Sequence, residues 1–282
     1  MELAMIEDSI VPLNEAQVCA SDRGLYFGDG VYEVLRNCND RLFAFKEHMD
    51  RFAYSLDQIG ILERVDLELI VHRIERGLAE SEIPDALIYF QVTRGQGPRS
   101  LDADESLAPA FMMTVRQTPP RLKKTMTAVS YPDLRWGRCD IKSLNLLPNV
   151  LAKQTVLRQG TDDAVLVDPK SGLVTESSSS SVLCVKQRCL QTAPLTANIL
   201  ASVTRSLLLK WAPELDLDVQ EESFTVDQAV SADELFLAGT TVEVTPIVQL
   251  DGHKIGTGQA GPVATLLHRR LLQEMFGSIR NE

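Results

Sequence analysis

Short apolar runs of strand length alternate along this chain with separate amphipathic helices, and this mixture limits the folds available. Residues 46–59 and 67–81 have the apolar spacing of surface helices. Ala86–Thr93 and Ala110–Arg116 are apolar runs of strand length, too short to be read as helices. The pattern predicts a mixed α/β fold, α+β in character, with two lobes instead of one doubly wound sheet.

The same periodicities predict the remaining elements. The expected strands are Val31–Asn37, Arg41–Phe45, Thr127–Tyr131, Ala164–Val167, Leu173–Thr175, Val182–Val185, Cys189–Thr192, Glu234–Ala238 and Val244–Leu250. Asn39-Asp40 suggests a hairpin-like turn between the first two strands, and Val182–Val185 and Cys189–Thr192 are expected to form a hairpin. The expected helices are Asn149–Gln159, Val203–Trp211 and Pro262–Phe276. Residues 117–124 contain Pro119-Pro120 and two lysines, which favours a domain boundary there. We therefore expect a smaller α/β domain over 1–118 and a larger one over 119–282, which includes Lys142.

Charge and composition exclude several function classes. The net charge of −11 over 282 residues disfavours nucleic-acid binding, because an acidic surface repels phosphate backbones. The five cysteines form no CxxC pair, and the four histidines lack metal-ligand spacing. No secretory signal and no apolar run of membrane-spanning length is visible. We expect a cytoplasmic protein with no metal, no nucleic-acid partner and no membrane association.

Three local features could support chemistry, although each has a simpler explanation. Lys142 lies among Ile141, Leu144 and Leu146, and an apolar setting disfavours the charged ammonium and frees the amine for covalent chemistry; alone, it could be a surface charge. Glu176 ends an apolar strand, where a carboxylate either faces solvent or pairs with a buried cation.

The third feature is a helix start. Residues 202–204 open a helix, and free N–H groups at such a start bind phosphate, although Ser202 could be a cap and nothing more. The serine run Ser177–Ser181 between two strand patterns could likewise suit an anion or be mere low complexity.

Taken together, these segments resemble the fold-type-IV family of pyridoxal-phosphate enzymes. The resemblance rests on IKSLNLLPNVLAKQ (141–154), GLVTESSSSSVLCV (172–185), NILASVTR (198–205) and GTTVEVTP (239–246). It extends to SDRGLYFGDGVYEVLR (21–36), EHMDRF (47–52) and YFQVTRG (89–95), so it spans most of the chain. The closest similarity is to D-amino-acid aminotransferases, a group related to branched-chain aminotransferases.

The resemblance implies a two-domain architecture with pyridoxal 5′-phosphate between the domains. It implies that Lys142 forms the Schiff base with the cofactor and moves the proton, and that Glu176 pairs with the pyridine nitrogen. It assigns the remaining cofactor contacts to Arg51, Leu200, Val203, Thr204 and Thr240. It assigns substrate contacts to Tyr32, Arg99 and Thr241, with Arg99 supplied by the neighbouring subunit of a homodimer. An arginine fork suits a carboxylate, which supports that assignment physically.

The sequence departs from the family pattern at several positions. D-amino-acid aminotransferases usually have a histidine two residues after the carboxylate-binding arginine, whereas this chain has Leu101. Leucine cannot donate a hydrogen bond, so the substrate pocket differs from the usual one. Ser202 and Ser177 stand where glycines are common, and Ser181 stands where an asparagine is often seen. These small hydroxyl residues are compatible with a phosphate site.

Several functions fit these residues. The leading hypothesis is a ping-pong transaminase that moves the amino group of D-alanine or a similar D-amino acid to a 2-oxo acid. Branched-chain L-amino acids or (R)-amines are alternative donors. A second hypothesis is a lyase of the 4-amino-4-deoxychorismate type, although Ser143 and Leu146 differ from the segment usual in those lyases. A third is a binding module without catalysis, which Lys142 and Glu176 disfavour.

Overall fold

The chain divides into two compact units. The computed structural model describes residues 1–102, 104–120 and 124–277. The first unit comprises Met1–Pro119 and Ile141–Asn145, and the second comprises Pro120–Asp140 and Leu146–Glu282. Lys142 therefore groups with the first unit, whereas the sequence pattern predicts that it lies in the larger domain over 119–282. Within the boundary region that we expect at 117–124, residues 121–123 lie outside the described residues.

An antiparallel sheet of five strands forms the frame of the first unit. The strands are β1 (Leu3–Ile6), β2 (Ser9–Pro12), β3 (Gly30–Cys38), β4 (Asp85–Thr93) and β5 (Ala110–Gln117), in the spatial order β2-β1-β5-β4-β3. The helices are α1 (Arg23–Phe27), α2 (Phe45–Gln58) and α3 (Leu67–Ser81). Asp66 caps α3 by accepting hydrogen bonds from the N–H groups of Glu68 and Leu69, which explains why the helix begins there.

The core of the first unit lies on one face of this sheet. Successive side chains of a strand point to opposite faces, so Val31 and Leu35 of β3 share a face and are both fully buried. They pack with Phe90 of β4 and with Phe52 of α2 and Ile74 of α3. The spacing of the apolar residues on both helices predicted this packing, because it places them on one stripe.

The expected strand Arg41–Phe45 is wrong. Asn39 and Asp40 make a tight turn with positive φ angles of 53° and 62°, as expected for a hairpin turn. Leu42 then forms a single bridge with Asn37, and the chain enters α2 at Phe45. The hairpin stops after one bridge because helix formation begins within three residues.

A larger mixed sheet forms the frame of the second unit. Its strands are β6 (Met126–Pro132), β7 (Asp163–Val167), β8 (Val174–Ser177), β9 (Ser181–Lys186), β10 (Cys189–Thr192), β11 (Asp218–Glu221), β12 (Glu234–Gly239), β13 (Glu243–Leu250) and β14 (His253–Lys254). Their order is β11-β10-β9-β12-β13-β6-β7-β8, with β14 on β13, and β6 runs parallel to both of its neighbours. The helices are α4 (Leu147–Arg158), α5 (Val203–Trp211), α6 (Val226–Val230) and α7 (Pro262–Phe276).

Several predicted elements of the second unit are confirmed. The bounds of α5 and α7 match the expected spans, and Ser202 caps α5 by accepting a hydrogen bond from the N–H of Arg205. The strands β9 and β10 form the expected hairpin. The short strands β11 and β14 were not predicted, because β11 is mostly polar (DVQE) and β14 has only two residues. Within the described residues, no helix has the length and apolar character needed to cross a membrane.

Candidate active site

Backbone hydrogen bonds from two elements of the first unit fix the position of Lys142. The Lys142 carbonyl accepts from the N–H of Tyr32 in β3 at 3.0 Å, and the Lys142 N–H donates to Ser55 Oγ of α2 at 3.2 Å. Leu144 N–H donates to the Gly30 carbonyl at 3.1 Å, so the segment extends the edge of the sheet. This pairing is the physical reason that residues 141–145 group with the first unit.

The Lys142 amine has an aromatic neighbour and no acidic one. Its Nζ lies 4.3 Å from the centroid of the Tyr32 ring, a cation–π distance, and the side chain is half-buried. Among the described residues, no carboxylate forms an ion pair with it. Tyr89 stacks on Tyr32 at 5.4 Å and donates its hydroxyl to Gln91 Oε1. Tyr32 and Lys142, both predicted site residues, are thus brought together.

Arg51, a predicted phosphate ligand, forms a buried ion pair with Glu33 of β3. Arg51 Nε lies 2.6 Å from Glu33 Oε1, and its Nη2 lies 2.8 Å from Oε2. His48 Nδ1 lies 2.9 Å from Glu33 Oε2. Burial favours a higher pKa for Glu33, but the charge of Arg51 and the hydrogen bonds from His48 and Arg51 outweigh it and hold the pKa below its ordinary value.

Glu176 is the buried carboxylate of the second unit. Its Oε2 accepts from Arg135 Nη1 at 2.6 Å and from the N–H of Leu200 at 3.3 Å. Among the described residues its Oε1 accepts no hydrogen bond, so one acceptor remains for a ligand. Arg135 is itself fixed by Asp133, at 2.8–2.9 Å. Burial raises the pKa of Glu176, against the opposing charge of Arg135.

The start of α5 offers donors for an anion close to this carboxylate. Leu200, whose N–H contacts Glu176, lies three residues before Val203, the first residue of the helix. Within the described residues, the N–H groups of Val203 and Thr204 have no hydrogen-bond partner. Thr240 and Thr241 lie in the turn between β12 and β13, and α5 packs on β12. Free N–H groups at a helix start suit a phosphate.

Arg99 occupies an exposed loop of the first unit. Its guanidinium lies 5.8 Å from the centroid of the Phe27 ring, and it has no ion pair with any described residue. The structure therefore does not bring Arg99 of this chain together with Tyr32 and Lys142. Leu101, in the position of the missing histidine, is 86% exposed. Gly95 lies at the start of this loop with a φ of +108°, and a side chain at this position would collide with the Ala108 carbonyl.

Several polar residues of these clusters were not predicted from the sequence. Glu33 did leave a signal, because the alternation of β3 places it on the same face as the core residues Val31 and Leu35. His48 and Arg51 are three apart on α2 and so face the same way, which is a second signal. Arg135 lies in a loop after β6, where no periodicity indicates its contacts.

Comparison with known proteins identifies the family. The model of the family described as amino-transferase class IV matches residues 30–250. The chain belongs to this family. It is therefore an aminotransferase, and the predicted fold class and family are confirmed. Aminotransferases of this fold type are pyridoxal-phosphate enzymes.

Relatives of known activity and known structure support the assignment along nearly the whole chain. The D-alanine aminotransferase of Bacillus licheniformis is 38% identical, over 93% of this chain and 94% of its own length. That of Listeria innocua is 36% identical over 96% and 95%. The Escherichia coli branched-chain amino acid aminotransferase has the same fold, with a TM-score of 0.90 at 21% identity over 99% of this chain and 96% of its own.

A further structural relative contains a form of the cofactor. The T.th. branched-chain amino acid aminotransferase, solved with pyridoxamine 5′-phosphate, superposes with a TM-score of 0.87 at 25% identity, over 98% of this chain and 94% of its own. Among its described residues, this aminotransferase has a lysine amine without a carboxylate partner, a buried carboxylate with an unused oxygen, and N–H groups at a helix start without hydrogen-bond partners. Each of these features fits a part of the cofactor. Among its described residues, no group of three or more potential ligands could hold a metal ion.

Proposed function

We propose that this aminotransferase uses pyridoxal phosphate to move the amino group of D-alanine, or of a similar small D-amino acid, to a 2-oxo acid. The observation that supports the substrate is the similarity to D-alanine aminotransferases along almost the whole length of both chains. The branched-chain enzymes that share the fold are more distant in sequence, so branched-chain L-amino acids are the alternative donors.

We propose that the residues predicted from the sequence bind the cofactor. The N–H groups of Val203 and Thr204, the Thr240 hydroxyl and the Arg51 guanidinium would bind its phosphate, and Leu200 would pack on its ring. Glu176 Oε1 would accept a hydrogen bond from the ring nitrogen and keep that nitrogen protonated. The Arg135 charge, 2.6 Å from Glu176 Oε2, favours the ionised carboxylate that this role requires.

The bound cofactor would supply an aldehyde that condenses with amines and a ring that accepts electrons. Lys142 Nζ would accept the proton from the α-carbon of the substrate and return a proton later in the cycle. Among the described residues no carboxylate pairs with this amine, which leaves the amine available for the role. Tyr32 would orient the amine through its ring and bind the carboxylate of the substrate with its hydroxyl, while Thr241 would contact the substrate.

We propose that the enzyme is a homodimer in which Arg99 binds the substrate carboxylate in the site of the neighbouring subunit. The lack of an acidic partner for Arg99 among the described residues of its own chain supports this assignment. The exposed apolar residues of α4 support dimer formation, since Leu147, Val150 and Leu151 follow the i, i+3, i+4 spacing of one helix face and are 45–67% exposed. Dimer mass in solution, and its loss in Leu151→Arg, would test this.

The visible absorption spectrum of the purified protein tests the proposed reaction. D-alanine, L-leucine and an (R)-amine are added separately without an acceptor. Bleaching of a yellow protein by D-alanine alone is the expected result. Bleaching by L-leucine or the amine alone would assign a different donor, and a yellow protein bleached by none of them would favour a lyase. A colourless protein that takes up no pyridoxal phosphate would contradict the proposed cofactor.

A further inference from the structure

The Glu33 cluster of the first unit has a geometry that packing does not explain. Glu33, between Val31 and Leu35 on the core face of β3, is fully buried, as is His48. A buried ion pair can often be replaced by apolar side chains of similar volume without loss of stability. A carboxylate at this position therefore indicates a requirement other than stability.

Within the part of the chain that the structure describes, the side-chain hydrogen bonds of Glu33 are made to His48 and Arg51 of α2. Arg51 meets both carboxylate oxygens with two nitrogens of one guanidinium edge, the arrangement that fixes the plane of the group most strictly. His48 lies within hydrogen-bonding distance of the same carboxylate and 3.4 Å from Arg51 Nη2. The three side chains thus leave Arg51 little rotational freedom.

The contact with Glu33 holds the His48 ring in one orientation. Burial lowers the pKa of His48, and the charges of Arg51 and Lys142 act in the same direction although Glu33 opposes them. A neutral ring whose Nδ1–H donates to Glu33 leaves Nε2 as an acceptor. That Nε2 is buried and has no hydrogen-bond partner among the described residues. The polar contacts of the ring that the structure describes are therefore on the Glu33 side.

The same two elements also fix Lys142. Tyr32, whose N–H binds the Lys142 carbonyl, directly precedes Glu33 in β3. Ser55, whose hydroxyl accepts from the Lys142 N–H, lies one helical turn after Arg51 in α2. The Glu33–Arg51 pair crosses from β3 to α2 just where both elements hold the lysine, so it links the orientation of Arg51 to the position of Lys142.

We propose that Glu33 and His48 are positioning residues that orient the Arg51 guanidinium for the phosphate of the cofactor. This inference rests on the proposed function, in which Arg51 binds that phosphate. It makes Glu33 a determinant of phosphate affinity, acting through Arg51, without contact between Glu33 and the cofactor.

Dissociation constants of the cofactor-depleted full chain for pyridoxal phosphate and for pyridoxal test the proposal. Glu33→Gln is expected to weaken the binding of pyridoxal phosphate about tenfold, an effect typical of removing a residue that orients a binding group. The binding of pyridoxal is expected to stay unchanged. In an Arg51→Met background, Glu33→Gln is expected to have no further effect. Asp8→Asn is the matched control, because Asp8 makes the same two-point pair with Arg73 elsewhere in the unit.

A second pair of variants keeps the test decisive if Glu33→Gln does not fold. His48→Asn retains a donor near the position of Nδ1 and is expected to preserve the preference for the phosphorylated cofactor. His48→Leu is expected to lower that preference about threefold, since an indirect partner contributes less. The ratio of the two affinities is measured within each variant, so a general loss of stability does not imitate the effect.

Different outcomes separate the inference from the proposed function. Equal weakening of pyridoxal and pyridoxal phosphate, or a Glu33→Gln effect that persists in Arg51→Met, would overturn the positioning role. An unchanged ratio of the two affinities in Glu33→Gln would overturn it as well. If Glu33→Gln does not fold, an unchanged ratio in His48→Leu would do the same. A wild-type chain that does not bind pyridoxal phosphate at all would overturn the proposed function, and this inference with it.

Discussion

Each unit of the protein contains a buried glutamate paired with an arginine, and the two pairs differ in what they leave unused. Glu33 in the first unit uses both oxygens, with Arg51 on each and His48 on one. Glu176 in the second unit accepts two hydrogen bonds from described residues, both on Oε2. The same residue type at the same depth of burial therefore presents a closed set of contacts in one unit and an open oxygen in the other.

The direction of each pKa follows from this difference. Burial favours the neutral acid in both cases, but the donors around Glu33 outweigh it, so the pKa of Glu33 lies below its ordinary value. Around Glu176 burial prevails and the pKa is raised. A carboxylate whose donors are complete is suited to holding another residue in place. A carboxylate that still lacks a donor is suited to receiving a cationic ligand, such as a protonated ring nitrogen.

The largest expected effect concerns Lys142, the residue on which the proposed reaction depends most. Lys142→Ala should reduce turnover by about 10⁴-fold or more, because it removes the residue proposed to transfer the proton. Steady-state kinetics with D-alanine and an oxo acid measure this loss. Lys46→Ala, which changes an exposed lysine on α2, is the control. Substantial activity in Lys142→Ala would assign the proton transfer to another group.

Glu176→Gln tests the role of the glutamate whose Oε1 accepts no hydrogen bond from a described residue. The substitution keeps the shape of the side chain and removes its charge, so we expect kcat to fall about 10²–10³-fold, the size of effect seen when one electrostatic partner of a reacting group is lost. Glu33→Gln should affect cofactor affinity instead and leave kcat with saturating cofactor within about threefold of wild type. Equal losses of kcat in the two variants would show that both carboxylates act on the reaction in the same way.

Arg99 contrasts with both pairs, because its guanidinium has no carboxylate partner among the described residues of its own chain. Arg99→Ala should lower kcat/KM for D-alanine about 10–100-fold, since a hydrogen bond to a charged group is worth about 1.5–3 kcal/mol. For a simple amine without a carboxylate, the change should be small. Equal losses with both substrates would exclude a role in carboxylate binding. Leu101→His, in parallel, would show whether the histidine missing from this loop strengthens D-alanine binding.

Periodicity was sufficient for the long elements and insufficient for the contacts between them. The spans of α3, α5 and α7 and the hairpin of β9 and β10 were predicted correctly, because apolar spacing and caps are local properties. The grouping of Lys142 with the first unit was not, since it depends on pairing with Tyr32, 110 residues earlier in the chain. Such long-range contacts leave no local pattern.

The candidate site shows the same limit. Motif resemblance proposed Lys142, Glu176 and the start of α5, which are residues that would contact the cofactor. Residues that position the site residues were missed where they lie in loops, as Arg135 does. Where such a residue interrupts the apolar pattern of a strand, the sequence does contain a sign of it. Glu33 is the clearest case, because a charge on the buried face of a strand requires a partner. A charged residue on the otherwise apolar face of a strand can therefore be recognised from the amino-acid sequence alone as a candidate positioning residue.

The smallest expected effect concerns the pH dependence of stability and tests the contacts of Glu33 through its neighbour His48. Burial, Arg51 and Lys142 lower the pKa of His48 from its ordinary value of 6.5, although Glu33 acts against them. The unfolded chain therefore takes up a proton at His48 as the pH falls through about 6.5, whereas the folded chain resists it. This residue's contribution to stability is complete above that pH and is lost progressively below it.

His48→Asn should remove this contribution, so its urea midpoint should fall less than that of the wild type between pH 7.5 and pH 5.5, about one unit on each side of the ordinary histidine pKa. His72→Asn, a change at an exposed histidine of α3, should follow the wild type. A wild-type midpoint that falls no more than that of His48→Asn would mean that Glu33 shares its charge with a protonated His48. Glu33 would then be balanced by two cations, and Arg51 would be held less by charge than by the geometry of its two hydrogen bonds.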